Sequence, residues 1–357
     1  MRLKQIEIYL KGWLSVVLLF GSVLANAQSE VPSIFDDMHF QEVLEVTLTA
    51  DFQQLDTARR NPHKFPGTLR YVDAKGTPRE WPVKLKQRGN FRRLRCEMVP
   101  LKIEFKKKDL RAAGLADFDD MKLVTHCVSN KSEARALVQK EYLAYRLYNE
   151  LTEMSYRVQL LKINYVDSNS GDRQKRWAFL IEDSAQLEHR IGASEKVENG
   201  INLPRDTFHG GLRRMVATYQ YMIGNSDWDV KVGRNLKFYA KNGKVIPVPY
   251  DFDFSGFVDA PYAIPNPNYL IESVRDRIYL GFPKDLEHLN GTLSYFKTKR
   301  SDLLEKIDAF HWLSADSRQE LIAYIDHFYQ TMRDIQPAVR RSSSMDSTAV
   351  TEVSSSK

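Results

Sequence analysis

The chain has 357 residues and a formal charge of +6, from 52 Lys and Arg against 46 Asp and Glu. That excess is mild: it admits an anionic ligand and gives no reason to expect a nucleic-acid partner. The length is enough to bury a large core, either as one two-lobed unit or as two domains.

Residues 1–27 read as a bacterial export signal. Arg2, Lys4 and Lys11 make a basic start, and an apolar stretch from Trp13 to Leu24 follows. Ala25-Asn26-Ala27 then offers small residues for signal cleavage. The stretch is short for a membrane span, and no Cys follows it to carry a lipid. The expectation is a soluble periplasmic or secreted protein with charge +4 and no membrane span after cleavage. In that compartment Cys96 and Cys127 are expected to form one disulfide. Two free thiols are the rival reading, and His126 beside Cys127 is a weak zinc signal without partners at metal spacing.

The elements follow in order. Residues 28–40 are a lead-in. Glu42–Thr49 alternates as a strand, 51–60 suits a short helix, and Thr68–Val72 is a short strand. Glu80–Gln87 sets Trp81, Val83 and Leu85 on one face against Lys84 and Lys86. Strands are also expected at 100–105 and 121–125, then a long helix over 132–151 with a broad apolar side. Strands at 156–165 and 177–181 complete a sheet-rich first part. A helix over 205–223 opens the second part, and Asn242-Gly243 marks a hairpin between 236–240 and 245–248. A long loop covers 257–270, and weaker helices cover 284–297, 301–309 and 315–335. The tail from 340 to 357 is too poor in apolar residues to order itself.

The chemistry concentrates after the second long helix. Gly224-Asn225-Ser226-Asp227-Trp228-Asp229 is followed by Asn235, and the hairpin returns the chain at Pro249-Tyr250-Asp251-Phe252-Asp253. Short oxygen-bearing side chains from two loops suit a hard cation, and a nearby carboxylate suits proton acceptance during phosphoryl transfer. The bland alternative is turn and helix-capping use of Asp and Asn. Cations for phosphate groups are available in the first part: Arg88, Arg92, Arg93, Arg95 and Lys102, with Glu141 on the long helix. No Walker A, dinucleotide glycine fingerprint or nucleophile elbow occurs.

On these residues the chain resembles the CotH-type spore coat kinases, an atypical secreted group with a protein-kinase-like fold. The similar stretches are Lys86-Gln87-Arg88-Gly89-Asn90, Pro100-Leu101-Lys102-Ile103, the helix from Arg135 to Tyr145, Phe179-Leu180-Ile181-Glu182, and the two acidic loops. The resemblance implies an α+β, two-lobed fold, with a sheet-rich lobe over 40–183 and a helix-rich lobe over 184–336. It implies an ATP phosphotransferase using Mg²⁺ or Mn²⁺ on a protein, glycan or other hydroxyl acceptor. Asp227 would be the catalytic aspartate. Asn235, Asp251 and Asp253 would hold metal. Lys102 would contact phosphate and pair with Glu141, Arg88 would shield the phosphates, and Glu182 would mark the hinge at the nucleotide. Trp228-Asp229 departs from the usual Arg-His, so Asp229 is a second candidate base or a further metal ligand. Leu101 stands where a second lysine is usual, which leaves Lys84 and Lys86 as rivals to Lys102. Two other readings stay open: a non-catalytic exported binding protein that keeps the cleft, and a metal-dependent hydrolase.

Overall fold

The computed structural model describes residues 31–197 and 202–340. The expected signal segment and the tail beyond Arg340 lie outside the described residues.

The first part contains α1 (Ile34–Met38), β1 (Val43–Ala50), α2 (Phe52–Thr57), β2 (Lys64–Val72), β3 (Pro78–Gln87), α3 (Phe91–Arg95), β4 (Leu101–Glu104), α4 (Lys107–Ala112), β5 (Asp120–Val124), α5 (Lys131–Leu151), β6 (Val158–Asp167) and β7 (Arg173–Ile181). Its seven strands close into a barrel in the order β1-β2-β3-β4-β5-β7-β6. Only the closing pair, β1 with β6, is parallel. The mixed sheet expected from sequence is therefore a closed barrel. Alternation decides what fills it: Leu44, Val46 and Leu48 from β1, Trp81, Val83 and Leu85 from β3, and Leu101 and Ile103 from β4 share one buried core with α1.

Strand β2 begins earlier than its turn-like Pro66-Gly67 suggests. Gly67 lies where a Cβ would come within 3.0 Å of the Thr49 carbonyl oxygen and 3.1 Å of Leu85. Close strand packing, rather than a turn, requires the glycine.

The second part contains α6 (Ser184–Arg190), β8 (Glu195–Lys196), α7 (Gly210–Met222), β9 (Leu236–Lys241), β10 (Lys244–Pro249), α8 (Asn290–Asp308) and α9 (Ala315–Thr331). Strands β10, β9 and β8 form a small sheet. The expected helices at 284–297 and 301–309 merge into α8, preceded by a short 3-10 turn at Pro283–His288. The second core joins α5, α7, α8 and α9 to the hairpin. The architecture is thus α+β, with a β-rich first part and a helix-rich second part. Among the described residues, no helix is long and apolar enough to cross a membrane.

Cys96 and Cys127 are joined as a disulfide, so neither thiol is free. That removes the zinc reading at Cys127.

Candidate metal centre

Three elements bring the acidic groups together. Helix α5 starts at Lys131, one residue before the expected start, capped by the Asn130 side chain, which accepts from the backbone N–H groups of Ser132 and Glu133. Its period then carries Glu141 and Tyr145 inward, and Glu141 is only 2 % exposed. The β9–β10 hairpin turns at Asn242 and Gly243, both with positive φ. It delivers Tyr250 back to the start of β9, where the Tyr250 N–H donates to the Asn235 carbonyl oxygen.

Beyond β10, Phe252 is fully buried between Tyr145 and Tyr219, with ring centroids 4.6 and 5.7 Å away. Locking that ring fixes the carboxylates on either side of it. Asp251 adopts φ +66°, and its N–H donates to the Tyr145 hydroxyl at 2.8 Å. Asn235 is likewise left-handed, at φ +53°. Asp and Asn tolerate that region better than other residues with a side chain, and such positions gather at ligand sites.

Glu141, Asp251 and Asp253 each place a carboxylate oxygen within 4.8 Å of the others. Glu141 Oε1 and Asp253 Oδ2 are buried without a hydrogen-bond partner. Arg92 comes from α3 to the same place. Its Nη1 lies 3.0 Å from Glu141 Oε2 and 3.6 Å from Asp253 Oδ2, and its Nη2 donates to the Thr125 carbonyl oxygen. Burial pushes the Glu141 and Asp253 carboxyls above their ordinary range, with Arg92 opposing and Asp251 reinforcing the rise. Burial also works against charge on Arg92, but Glu141 and Asp253 overcome it and hold the guanidinium protonated. One guanidinium cannot neutralise three carboxylates. Three carboxylates with an oxygen each within 4.8 Å of the others, and hydrogen bonds that leave Glu141 Oε1 unpaired, are a donor set that a hard divalent cation satisfies, so the residues fit Mg²⁺ or Mn²⁺.

Asp227 stands beside this group. Asn235 Nδ2 donates to its carbonyl oxygen at 2.6 Å and to its Oδ2 at 3.0 Å. Arg234 Nη1 lies 3.5 Å from its Oδ1. Burial raises the Asp227 carboxyl, Arg234 counters, and Asp251 adds to the rise. Arg88, Asp227, Arg234, Asn235, Asp251 and Asp253 line a single cavity of about 630 Å³. A concavity of about 720 Å³ against β1, β2, β3, β6 and β7 is larger, but it is lined by strand side chains such as the Arg70–Glu80 ion pair and gathers no carboxylate cluster.

The other expected site residues lie elsewhere. Lys102 does not meet Glu141: its Nζ contacts Asp120 and Glu104 on the outside of the barrel. Glu182 is fully buried and holds Arg157 and Arg190, tying β6 to α6. Asp229 caps its own turn, accepting from the N–H groups of Lys231 and Val232.

One residue near the cleft escaped sequence reasoning, and another, expected to meet phosphate, pairs with the carboxylates instead. Arg92 was visible only as part of a basic run. Lys122 is the single charge in Met121-Lys122-Leu123-Val124, which was the available signal. Its Nζ lies 4.7 Å from the Tyr156 ring centroid and 5.3 Å from that of Tyr250, a cavity residue. Burial, then Arg88 and Lys237, push it down to about 7.

No family model matches the chain, and no curated sequence matches it. Among solved structures, it is similar to a chain of the Shewanella oneidensis MR-1 toxin–antitoxin system HipA, HipB and its operator DNA complex, at 13 % identity and a TM-score of 0.32. The match covers 62 % of this chain and 62 % of that one. A likeness at that level carries no argument about fold or activity.

Proposed function

We propose that the cleft belongs to a metal-dependent enzyme acting on a phosphorylated substrate, with the cation held by Glu141, Asp251 and Asp253. The observation that carries this reading is the grouping of the Glu141, Asp251 and Asp253 carboxylates, with Glu141 Oε1 unpaired, beside a cavity walled by Arg88 and Arg234. A bound Mg²⁺ or Mn²⁺ would supply neutralisation of phosphate charge. The chain's own residues do the rest. Arg88 and Arg234 attract the anionic group to the mouth, and Lys122 adds positive charge behind Tyr250. Asn235 fixes the Asp227 carboxylate, and burial raises its pKa, the direction that strengthens it as an acceptor of a proton from water or an alcohol.

A narrower reading is phosphoryl transfer from ATP to a hydroxyl acceptor, as the CotH resemblance implies. Asp227 is then the base, and the nucleotide replaces a simple phosphoester as substrate. The Cys96–Cys127 bridge supports an oxidising compartment, in line with the export signal proposed for residues 1–27.

The competing non-catalytic reading has one observation in its favour: Arg92 already sits among the carboxylates. Turnover separates the readings. The full chain with Mn²⁺ is expected to release phosphate from an aryl phosphate or to consume ATP in the presence of a hydroxyl acceptor. Asp227→Asn is expected to lower the rate by about 10²–10⁴-fold while leaving metal binding intact. Metal binding without turnover of either substrate class would favour the binding protein.

A further inference from the structure

We infer that the lip of the cleft formed by α3 docks an acidic, extended protein segment; this rests on the proposed reading of the cleft and supplies its acceptor class. Four arginines, Arg88, Arg92, Arg93 and Arg95, fall within Arg88–Arg95. Arg92 ion-pairs with the buried carboxylates and Arg88 lines their cavity, which leaves Arg93 and Arg95 for the lip. The backbone of the segment is pinned at several points. The disulfide holds its end at Cys96. Arg59 donates to the carbonyl oxygens of Arg93, Cys96 and Glu97 at 3.2, 2.6 and 2.7 Å. Phe91 meets Phe254 edge-on at 5.4 Å between centroids.

What this stapling presents is unusual for a solvated turn. Phe91 is 42 % exposed and Leu94 51 %. Arg95 is exposed, and the half-buried Arg93 donates its Nε–H to the Gly89 carbonyl oxygen. Glu97 turns away, toward His126 and Arg176. Across the mouth, Arg234 lines the same cavity and lies 3.5 Å from Asp227 Oδ1. The α3 lip is therefore basic, with apolar side chains between its charges. Holding like charges on a rigid turn costs electrostatic free energy that an anionic partner recovers on contact.

The apolar residues decide which anion. Phe91 and Leu94 suit the side chains of a peptide in which acidic and apolar residues alternate. A nucleic acid needs free aromatic faces for stacking, and Phe91 is already engaged by Phe254 and Tyr262. Two exposed apolar side chains on α3 are too few to anchor a lipid surface.

The test is fluorescence anisotropy on the full chain with a labelled peptide of repeated Glu-Leu-Ser units. The same peptide with Gln for Glu, a single-stranded oligonucleotide and phosphatidylglycerol vesicles run beside it, and Mn²⁺ binding is titrated on the same samples. The acidic peptide is expected to bind, and raised salt is expected to weaken it. Arg93→Glu with Arg95→Glu is expected to weaken it on the order of tenfold, with Mn²⁺ binding and thermal midpoint unchanged. Arg93→Gln with Arg95→Gln provides a milder variant in case the reversal misfolds. Equal binding of the Gln peptide, wild-type binding in both double variants, or tighter binding of oligonucleotide or vesicles overturns the docking inference while Mn²⁺ binding keeps the cleft reading. Absence of Mn²⁺ binding in the wild type overturns both.

Discussion

Lys122 shows how the site's electrostatics act on a single side chain. Its ammonium lies against two tyrosine rings, with Arg88 and Lys237 near, and burial first and those two cations second lower its pKa to about 7 from 10.5. The sign follows from linkage. The fold holds this proton less tightly than the unfolded chain does, so the group's penalty is full below about pH 7 and fades as pH rises toward 10.5. An anion bound in the cleft reverses the shift by favouring the charged form. Trace labelling with an amine-reactive reagent, read by peptide mass spectrometry, is expected to show Lys122 titrating near 7 and inorganic phosphate moving that midpoint upward. A midpoint at the ordinary lysine value, or no response to phosphate, contradicts the placement.

At the scale of elements, α3 is the piece on which both the buried Arg92 and the basic lip depend. The Cys96–Cys127 bridge that ends it spans 31 residues, and loop-closure entropy puts its contribution at about 3–4 kcal/mol. Cys96→Ser with Cys127→Ser is expected to lose stability of that order in urea unfolding; an unchanged midpoint and slope would show that the bridge does not constrain α3. Strand pattern alone could not separate Lys102 from Lys122. The two are directly paired across β4 and β5 and share a face. The barrel order sets β5 against β7 and leaves β4 one strand farther out, and Lys122 rather than Lys102 reaches the Tyr156 and Tyr250 rings. By contrast, the Asn242-Gly243 hairpin and the alternation in β3 were legible because each is a local rule. Glu182 followed an apolar strand and looked like a site residue. The two arginines that neutralise it come from the residue before β6 and the end of α6, a pairing no local pattern reveals.

Across the whole molecule, the carboxylate centre is built where the two cores meet. Helix α5 packs its apolar side into the second core while contributing Glu141, and Phe252 locks the Asp251–Asp253 turn against that helix through Tyr145. The acidic loops were found from sequence because Asp and Asn recur around the hairpin. Glu141 was expected to serve a lysine and instead joins Asp251 and Asp253, since its place depends on the long-range packing of α5. The most direct test of the account is an electron paramagnetic resonance titration of free Mn²⁺ with the full chain. It predicts a bound ion at neutral pH that Mg²⁺ displaces. Glu141→Gln and Asp253→Asn should each abolish binding, and acidification should weaken it, because the raised carboxyl pKa values let protons compete. No bound Mn²⁺ at neutral pH, or equal binding in both variants, would contradict it.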